Sequence, residues 1–337
     1  MRLAHVHCHG PISYARSLAL QNALLERHFR YKDMLRGHAR KPQRDDDEGD
    51  EMSGSARHHP AGQLSPDLAK AINGEEPLSL GLPDPTLLTF STAPTYTVGR
   101  RHLQNNPISA GQQSFLTAGG AATFHASPRG GLLTYHAPGQ LTGYLVADLR
   151  RLGITPRCWV RLLENSVIRT CAAFGVENTA RTDDPGVWIQ GTERKICAIG
   201  VQVSRGVTSH GVGLNVFDHV IPEKRRDKYD FTAEQEASKS FDAESRGYLS
   251  WGFSRIVACG LEGKSVTWLA REQAQVGSGA SPLFARFRDN GPAGLGLMAS
   301  VGDVFAKELA KSINEMGGAG KEKVDSVYRL GDDDVVE

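Results

Sequence analysis

No acidic residue occurs before Glu26 in this 337-residue chain, while Arg2 and Arg16 supply positive charge. An acid-poor, arginine-bearing start is the composition of a mitochondrial transit peptide. The strand-like run Leu3 to Cys8 begins almost at once, however, and leaves little room for a removable leader ahead of it. Excess charge of either sign is also missing: 39 basic against 38 acidic residues argues against a nucleic-acid binder that works by phosphate neutralisation. No apolar run approaches the roughly 20 residues that span a bilayer, so membrane insertion is not expected. The five cysteines (Cys8, Cys158, Cys171, Cys197 and Cys259) include no CxxC pair and are odd in number. That pattern suits neither a disulfide framework nor a tetrahedral zinc site, and it predicts free thiols in a reducing compartment with no metal. No internal repeat is present. With 39% hydrophobic residues, the chain has enough apolar material for a buried core.

Several segments carry strong local signals. Ser13 reads as the N-cap of a helix with Tyr14, Leu18, Leu25 and Phe29 on one side, ended by Gly37. From 38 to 80 the chain is acidic and then rich in Ser, Gly, Pro and His, the composition of a disordered insertion. Strands are expected at Leu87 to Phe90, Thr95 to Val98, Gly130 to Tyr135 and Leu141 to Leu149. Thr155 and Pro156 open a helix in which Trp159, Leu163, Val167 and Cys171 recur every four positions until Gly175. Gly186 to Gln190, Lys195 to Val203 and Val207 to Val216 follow as strands, the last two joined by a Ser204-Arg205-Gly206 hairpin turn. Residues 219–247 form a second insertion of mixed charge, read as a solvated excursion. Val266 to Glu272 and Val304 to Ile313 read as helical. The sum is one catalytic domain, 1–337, of α/β (α+β) class, with a mixed sheet flanked by helices and two insertions.

The chemistry-bearing residues lie in short glycine-rich cassettes. Arg129-Gly130-Gly131, then Leu132, Leu133, Thr134, Tyr135 and His136 running into Ala137-Pro138-Gly139-Gln140, make the first. Its glycines let backbone approach a ligand, and Arg129 is positioned to fix a polar end. Lys195 opens KICAIG, with Ala198, Ile199 and Gly200; His210, Gly211, Val212 and Gly213 lie in SHGVGLNV; Cys259 lies in ACG. A cysteine thiol has a pKa of about 8.5 and becomes a usable nucleophile near an ammonium group, so Lys195 and Cys259 suggest covalent catalysis on a thiolate. Taken singly, a cysteine is more often a small core hydrophobe. The histidines His5, His7, His9, His58 and His59 are read as solvent-facing rather than as metal ligands.

In their order along the chain, RGGLLTYHAPGQ, PGVWI, KICAIG, SHGVGLNV and ACG resemble the octanoyltransferase family, the lipoyl(octanoyl) transferases, in an arrangement similar to eukaryotic members. SYARSLALQNALL resembles the family's opening helix. The resemblance implies a fold similar to the catalytic domain of biotin and lipoate protein ligases. It implies an octanoyl donor, octanoyl-acyl carrier protein, and acceptor lysines on lipoyl domains of 2-oxoacid dehydrogenases and on the glycine cleavage H protein. It also implies a mitochondrial setting and no cofactor. On the matching positions, Cys259 would carry the acyl thioester and Lys195 would activate it. Arg129 to His136, Ala198 to Gly200 and His210 to Gly213 would line the acyl pocket, with backbone N–H groups near Cys259 or Gly200 holding the oxyanion. Small residues suit a narrow apolar channel, and each buried methylene contributes about 0.8 kcal/mol. Two positions depart from the family pattern: Ala137 replaces a usual glycine and Ala258 a usual proline.

Three other readings share these residues. An ATP-dependent lipoate or biotin ligase would keep Lys195 and make Cys259 incidental. A non-catalytic acyl-binding relative would keep only the pocket. A thioesterase would use the same intermediate and release octanoate to water.

Overall fold

The computed structural model describes residues 1–39, 81–256, 263–275 and 295–335. The chain separates into two compact units, one formed by 1–26 with 84–337 and the other by 27–83. Residues 40–80 of the expected low-complexity insertion, with His58 and His59, lie outside the described residues, and so does Cys259.

In chain order, β1 (Arg2–Ile12) leads into α1 (Tyr14–Ala39), then β2 (Thr86–Thr92), β3 (Thr95–Gly99), α2 (Arg100–Asn105) and α3 (Ala110–Thr117). Next come β4 (Thr123–Ser127), β5 (Thr134–His136), β6 (Gln140–Val146), α4 (Leu149–Leu152) and α5 (Pro156–Ala173). The short strands β7 (Thr179–Ala180) and β8 (Val187–Ile189) precede the long hairpin β9 (Arg194–Ser204) and β10 (Val207–Asn215). After it come α6 (Ala233–Glu236), α7 (Tyr248–Phe253), β11 (Ser265–Val266), α8 (Leu269–Gln275), α9 (Leu295–Met316) and β12 (Ser326–Leu330).

Among the described residues the strands build a nine-stranded mixed sheet, ordered β12-β1-β2-β6-β10-β9-β8-β7 with β11 paired to β9, and a three-stranded sheet β4-β3-β5. The fold is therefore α/β with mixed sheets flanked by helices. Strands β2 and β3 flank Pro94 yet enter different sheets, so the chain crosses from one to the other at that turn. An aliphatic core beneath the large sheet gathers Leu87, Leu141, Leu145, Trp159, Leu163, Val167, Val212, Val301 and Phe305. A second core, rich in aromatic rings, surrounds the small sheet with Tyr96, Tyr135, Tyr229, Tyr248, Trp251 and Trp268.

Local signals explain the best-defined elements. Thr155 accepts the Cys158 N–H at 3.2 Å and Pro156 begins α5, whose Trp159, Leu163, Val167 and Cys171 are fully buried. Gly175, at φ 81°, closes that helix in the left-handed conformation. Arg205 (φ 54°) and Gly206 (φ 84°) both take positive φ, the signature of a tight hairpin turn between β9 and β10.

Other expectations are corrected. Helix α1 continues past Gly37 to Ala39, and its buried stripe runs through Tyr14, Ser17, Leu20, Gln21 and Leu24, with Leu18 and Leu25 only half-buried. Only Thr134 to His136 of the first glycine-rich segment is strand; Gly130 and Gly131 form bends. Val266 ends a strand, because it pairs with Lys195, and the following helix starts at Leu269. Strand β12, unforeseen, pairs in parallel with β1 and makes it an interior strand. That placement overturns the solvent-facing reading of His5 and His7. Both are buried beside α9 and share the Thr89 Oγ1, at 2.8 and 2.9 Å, while His9 is exposed. Gly302 of α9 makes the space, since a Cβ there would meet Thr89 Oγ1 at 3.3 Å and both imidazoles at 3.5 Å.

In the 219–247 segment the charged run Glu223–Lys228 is exposed, yet Ile221, Tyr229, Gln235 and Ser240 are buried. Asp218 ties the segment to α7. Its carboxylate accepts the Ser245 and Ser250 hydroxyls and the backbone N–H groups of Gly247, Leu249 and Ser250, at the positive end of that helix.

Candidate active site

A β-bulge decides which way Lys195 points. Cys197 pairs with Val187 and Lys195 with Trp188, so two residue steps on β9 match one on β8. In a regular strand Lys195 and Cys197 would share a face; the extra residue reverses the alternation. Ile196 and Cys197 join the aliphatic core, and Lys195 emerges with Ala198 and Gly200 on the opposite face. Cys197 is thereby placed in an apolar environment, and burial pushes its thiol pKa well up.

Lys195 stays buried, 5% exposed, beside the Trp188 ring with Nζ 4.6 Å from its centroid. The indole N–H is fixed on the Asp184 carbonyl at 3.2 Å, and Lys264, ion-paired to the Asp184 carboxylate, lies 4.8 Å from the same ring. Gly186 passes so close that a Cβ there would meet Lys195 Cε at 2.8 Å. Its N–H is held by Glu164 of α5 at 3.1 Å. Burial raises the pKa of that carboxyl, partly offset by the Gly186 hydrogen bond and by Lys195.

The face that Lys195 joins lines a cavity of about 180 Å³. Its walls come from Arg129, Gly131, Leu132, Thr134 and His136 on one side, and from Ala198 to Gly200 and His210 to Gly213 on the other. Thr142, Tyr144, Asp184 and Pro185 complete it. A smaller cavity adjoins it, sharing Thr134, Lys195, Ala198 and Gly213 and adding Asn215, Phe253 and Val266. Phe253 and Val266 stand on either side, in sequence, of the segment that contains Cys259.

A chain of hydrogen bonds holds the walls in register. Arg129 donates to the Thr97 carbonyl (2.8 Å) and Oγ1 (2.7 Å) and to the Gly130 and Leu132 carbonyls, so it braces the glycine turn. The Gly130 N–H docks that turn on the Val201 carbonyl of β9 at 3.1 Å. Gln140 donates through Nε2 to the Tyr135 carbonyl and to Asn215 Oδ1, which leaves its Oε1 to accept from His136 Nδ1 at 2.6 Å. His136 is therefore the Nδ1–H tautomer, and its Nε2 accepts from the Thr97 hydroxyl at 3.2 Å. Burial first, and then Arg129, lowers its pKa to about 4, so the ring is neutral near pH 7. Asn215 Nδ2 donates onward to the Thr267 carbonyl, and the Thr267 N–H donates to the Lys195 carbonyl, each at 2.9 Å. Gln140, which ends the first cassette, and Asn215, the penultimate residue of SHGVGLNV, thus fasten the cavity to the strand that carries Lys195.

His210 departs from this pattern. It adopts φ 59°, left-handed for a non-glycine residue, at a cost of about 1–2 kcal/mol. The Gln21 side chain accepts its backbone N–H at 2.6 Å. The next residue must be glycine, since a Cβ at Gly211 would lie 2.2 Å from the Gly143 carbonyl. The turned backbone brings the imidazole edge-on to Tyr144, with centroids 5.0 Å apart, on the cavity face of β6. Burial, then Arg129 and His136, lowers the His210 pKa to about 3. Neither ring nitrogen has a hydrogen-bond partner among the described residues.

The structure brings together most of the residues singled out from sequence and sets three aside. Gly130 serves the turn, Leu133 packs on the aromatic core, and Tyr135 alternates away from Thr134 and His136 into that core. The glycines do not simply clear space for a ligand. Cβ atoms at Gly200 and Gly213 would first meet Arg129 and Gln140, at 3.0 Å each, so the small residues admit the bracing side chains. Thr142 and Tyr144 were missed, although Gln140, Thr142 and Tyr144 alternate with Leu141, Gly143 and Leu145, a polar face inside an interior strand. Asp184 was also missed, and Pro185 was noted only as the first residue of PGVWI, without a place in the cavity.

Residues 76–239 match the lipoyl protein ligase A/B catalytic domain. The chain is 36% identical over 224 residues to an octanoyltransferase of Chloroflexus aurantiacus, covering 66% of this chain and 81% of that one. It is 40% identical over 156 residues to an octanoyltransferase of Bacteroides fragilis (44% and 69% covered). It is 40% identical over 148 residues to the mitochondrial octanoyltransferase LIP2 of Arabidopsis thaliana (42% and 60% covered). A solved lipoate-protein ligase A with bound ATP aligns at a TM-score of 0.44 and 11% identity, over 100% of this chain and 93% of the other. A bulge-presented lysine on a glycine-lined cavity, in a chain this similar to those enzymes, belongs to an acyltransferase of the octanoyltransferase family, within the lipoyl protein ligase A/B group.

Proposed function

We propose that the enzyme takes an octanoyl group from octanoyl-acyl carrier protein and passes it, through a thioester on Cys259, to a lysine of a lipoyl carrier domain. Acceptors would be the lipoyl domains of 2-oxoacid dehydrogenases and the glycine cleavage H protein. One observation carries this reading: buried Lys195 lies where the two cavities meet, and both sequence flanks of the Cys259 segment, Phe253 and Val266, line the smaller one.

In the first half-reaction Lys195 Nζ, as an amine, takes the proton of the Cys259 thiol, and the thiolate attacks the donor's thioester carbon. The tetrahedral intermediate collapses with loss of the carrier's thiolate, which recovers the proton from Lys195. In the second half the acceptor amine attacks the Cys259 thioester, its proton passes to Lys195, and the Cys259 thiolate leaves and is reprotonated. His136 and Arg129 are committed to protein partners and hold the wall rather than move protons. The acyl chain would lie along Ala198, Gly200, Gly211 and Gly213, where each buried methylene contributes about 0.8 kcal/mol. A single catalytic domain with two insertions accommodates these roles, and a mitochondrial setting agrees with relatives named as mitochondrial in Arabidopsis thaliana and Drosophila melanogaster.

The test is mass spectrometry after mixing the protein with octanoyl-acyl carrier protein in the absence of ATP. An octanoyl adduct on Cys259, discharged by added lipoyl domain, is expected; Cys259→Ser should abolish both. Full transfer by Cys259→Ser, or transfer only from free octanoate with ATP, would overturn the thioester route.

A further inference from the structure

The cavity has two unlike ends. Lys195 and the smaller cavity mark the reacting end, with Ala198, Gly213 and Asn215 beside them. His210 lies three residues further along β10 from Gly213, about 10 Å at the rise of an extended strand. An extended eight-carbon acyl chain anchored at the reacting end covers about that span. Between them β10 contributes Gly211, Val212 and Gly213, with Thr142 of β6 opposite Gly213, and His210 closes the row. Its imidazole is 2% exposed, lines the cavity, and has neither nitrogen paired among the described residues. A left-handed backbone holds it there, fixed by Gln21 and permitted by Gly211. Backbone strain and buried ring nitrogens without a partner among the described residues both oppose folding, and His210 combines the two.

We infer that His210 is a specificity-determining hydrogen-bonding group for the distal end of the acyl chain. The site accepts medium-chain acyl thioesters that carry an oxygen at the terminal carbon, as well as saturated ones. A neutral imidazole can either donate to or accept from a terminal hydroxyl, so both ring tautomers serve. Tyr144, edge-on to the ring, fixes its plane. No new bond chemistry is involved: the thioester is exchanged as in the proposed reaction, on which this inference rests.

The experiment compares octanoyl- and 8-hydroxyoctanoyl-acyl carrier protein as donors to a lipoyl domain, with kcat/KM measured for each. For the unaltered protein the two values should lie within about tenfold, whereas a purely apolar pocket would reject the hydroxyl by about a hundredfold. His210→Gly, which relieves the φ strain but removes the ring, should lower the hydroxyl-to-saturated ratio about five- to tenfold. His210→Asn, which tolerates the same backbone and keeps a hydrogen-bonding group, should fall between. A structural role would change both donors together and leave the ratio alone. A hundredfold preference of the unaltered protein for the saturated chain, or an unchanged ratio in His210→Gly, overturns the inference. Failure of the unaltered protein to transfer octanoyl at all would instead overturn the proposed function.

Discussion

The two cores hold the cavity in different ways. The aliphatic core under the large sheet fixes β9 and β10 through side chains that alternate along strands and repeat along α5, so its geometry comes from regular elements. The aromatic core around the small sheet draws Tyr96 and Tyr135 from strands, Tyr229 from the 219–247 segment, and Tyr248 and Trp251 from a six-residue helix. It depends on single close contacts: a Cβ on Gly252 would lie 2.0 Å from Tyr135 Cε1, and the Tyr96 hydroxyl donates to the Gly252 carbonyl at 2.9 Å. The difference divides the labour. The aliphatic side supplies stability and presents Lys195, while the aromatic side sets where α7, through Phe253, meets the cavity wall.

Acidification should strain both sides and give the largest effect. Burial holds the pKa of His5, His7 and His136 near 4 and of His210 near 3, against 6.5 in the unfolded chain. Folded pKa values below unfolded ones mean that the unfolded state binds more protons. Stability is therefore full above about pH 6.5 and falls as pH drops toward 4, by an amount on the order of several kcal/mol. Urea unfolding at a series of pH values checks this; a flat profile between pH 7 and 4.5 would contradict it.

Trp159→Ala should cost about 3–5 kcal/mol by opening the aliphatic core, read as a lower urea midpoint, with the remaining folded protein still able to form the Cys259 adduct. Gly252→Ala should reverse that ratio of effects. Crowding Tyr135 costs about 1–3 kcal/mol, yet adduct formation should drop at least tenfold because α7 shifts. If Gly252→Ala lowers stability and leaves the adduct rate intact, the division between the cores fails. Asn215→Ala joins the two sides and should cost about 1–3 kcal/mol, since it leaves Gln140 Nε2 and the Thr267 carbonyl without their partner. Its acyl-transfer rate should fall more than that of Gln113→Ala on α3. Exchanging Arg225, Arg226 and Lys228 for glutamine should change stability by no more than about 0.5 kcal/mol each, because this run is exposed.

Much of the aliphatic side was legible in the amino-acid order. The four-residue recurrence in α5, its Thr155 cap and the Arg205-Gly206 turn are local signals, and local signals survive without knowledge of the partner. The aromatic side was not legible, because Tyr229 and Trp251 are isolated in charged or irregular sequence and meet only after long connections close. The same limit explains His5 and His7. A histidine-alternating strand near the start looks exposed until β12 and α9 cover it.

By itself the sequence determined which residues form the cavity cassettes, the α/β class and the octanoyltransferase resemblance, because those depend on residue types at fixed short spacings. Tertiary structure decided their orientation. The bulge opposite Val187 and Trp188 turns Lys195 off the core face, and the left-handed turn at His210 brings to the cavity an imidazole with no hydrogen-bond partner among the described residues. Both depend on where a neighbouring strand pairs, and strand pairing is a non-local choice that no short window of residues encodes.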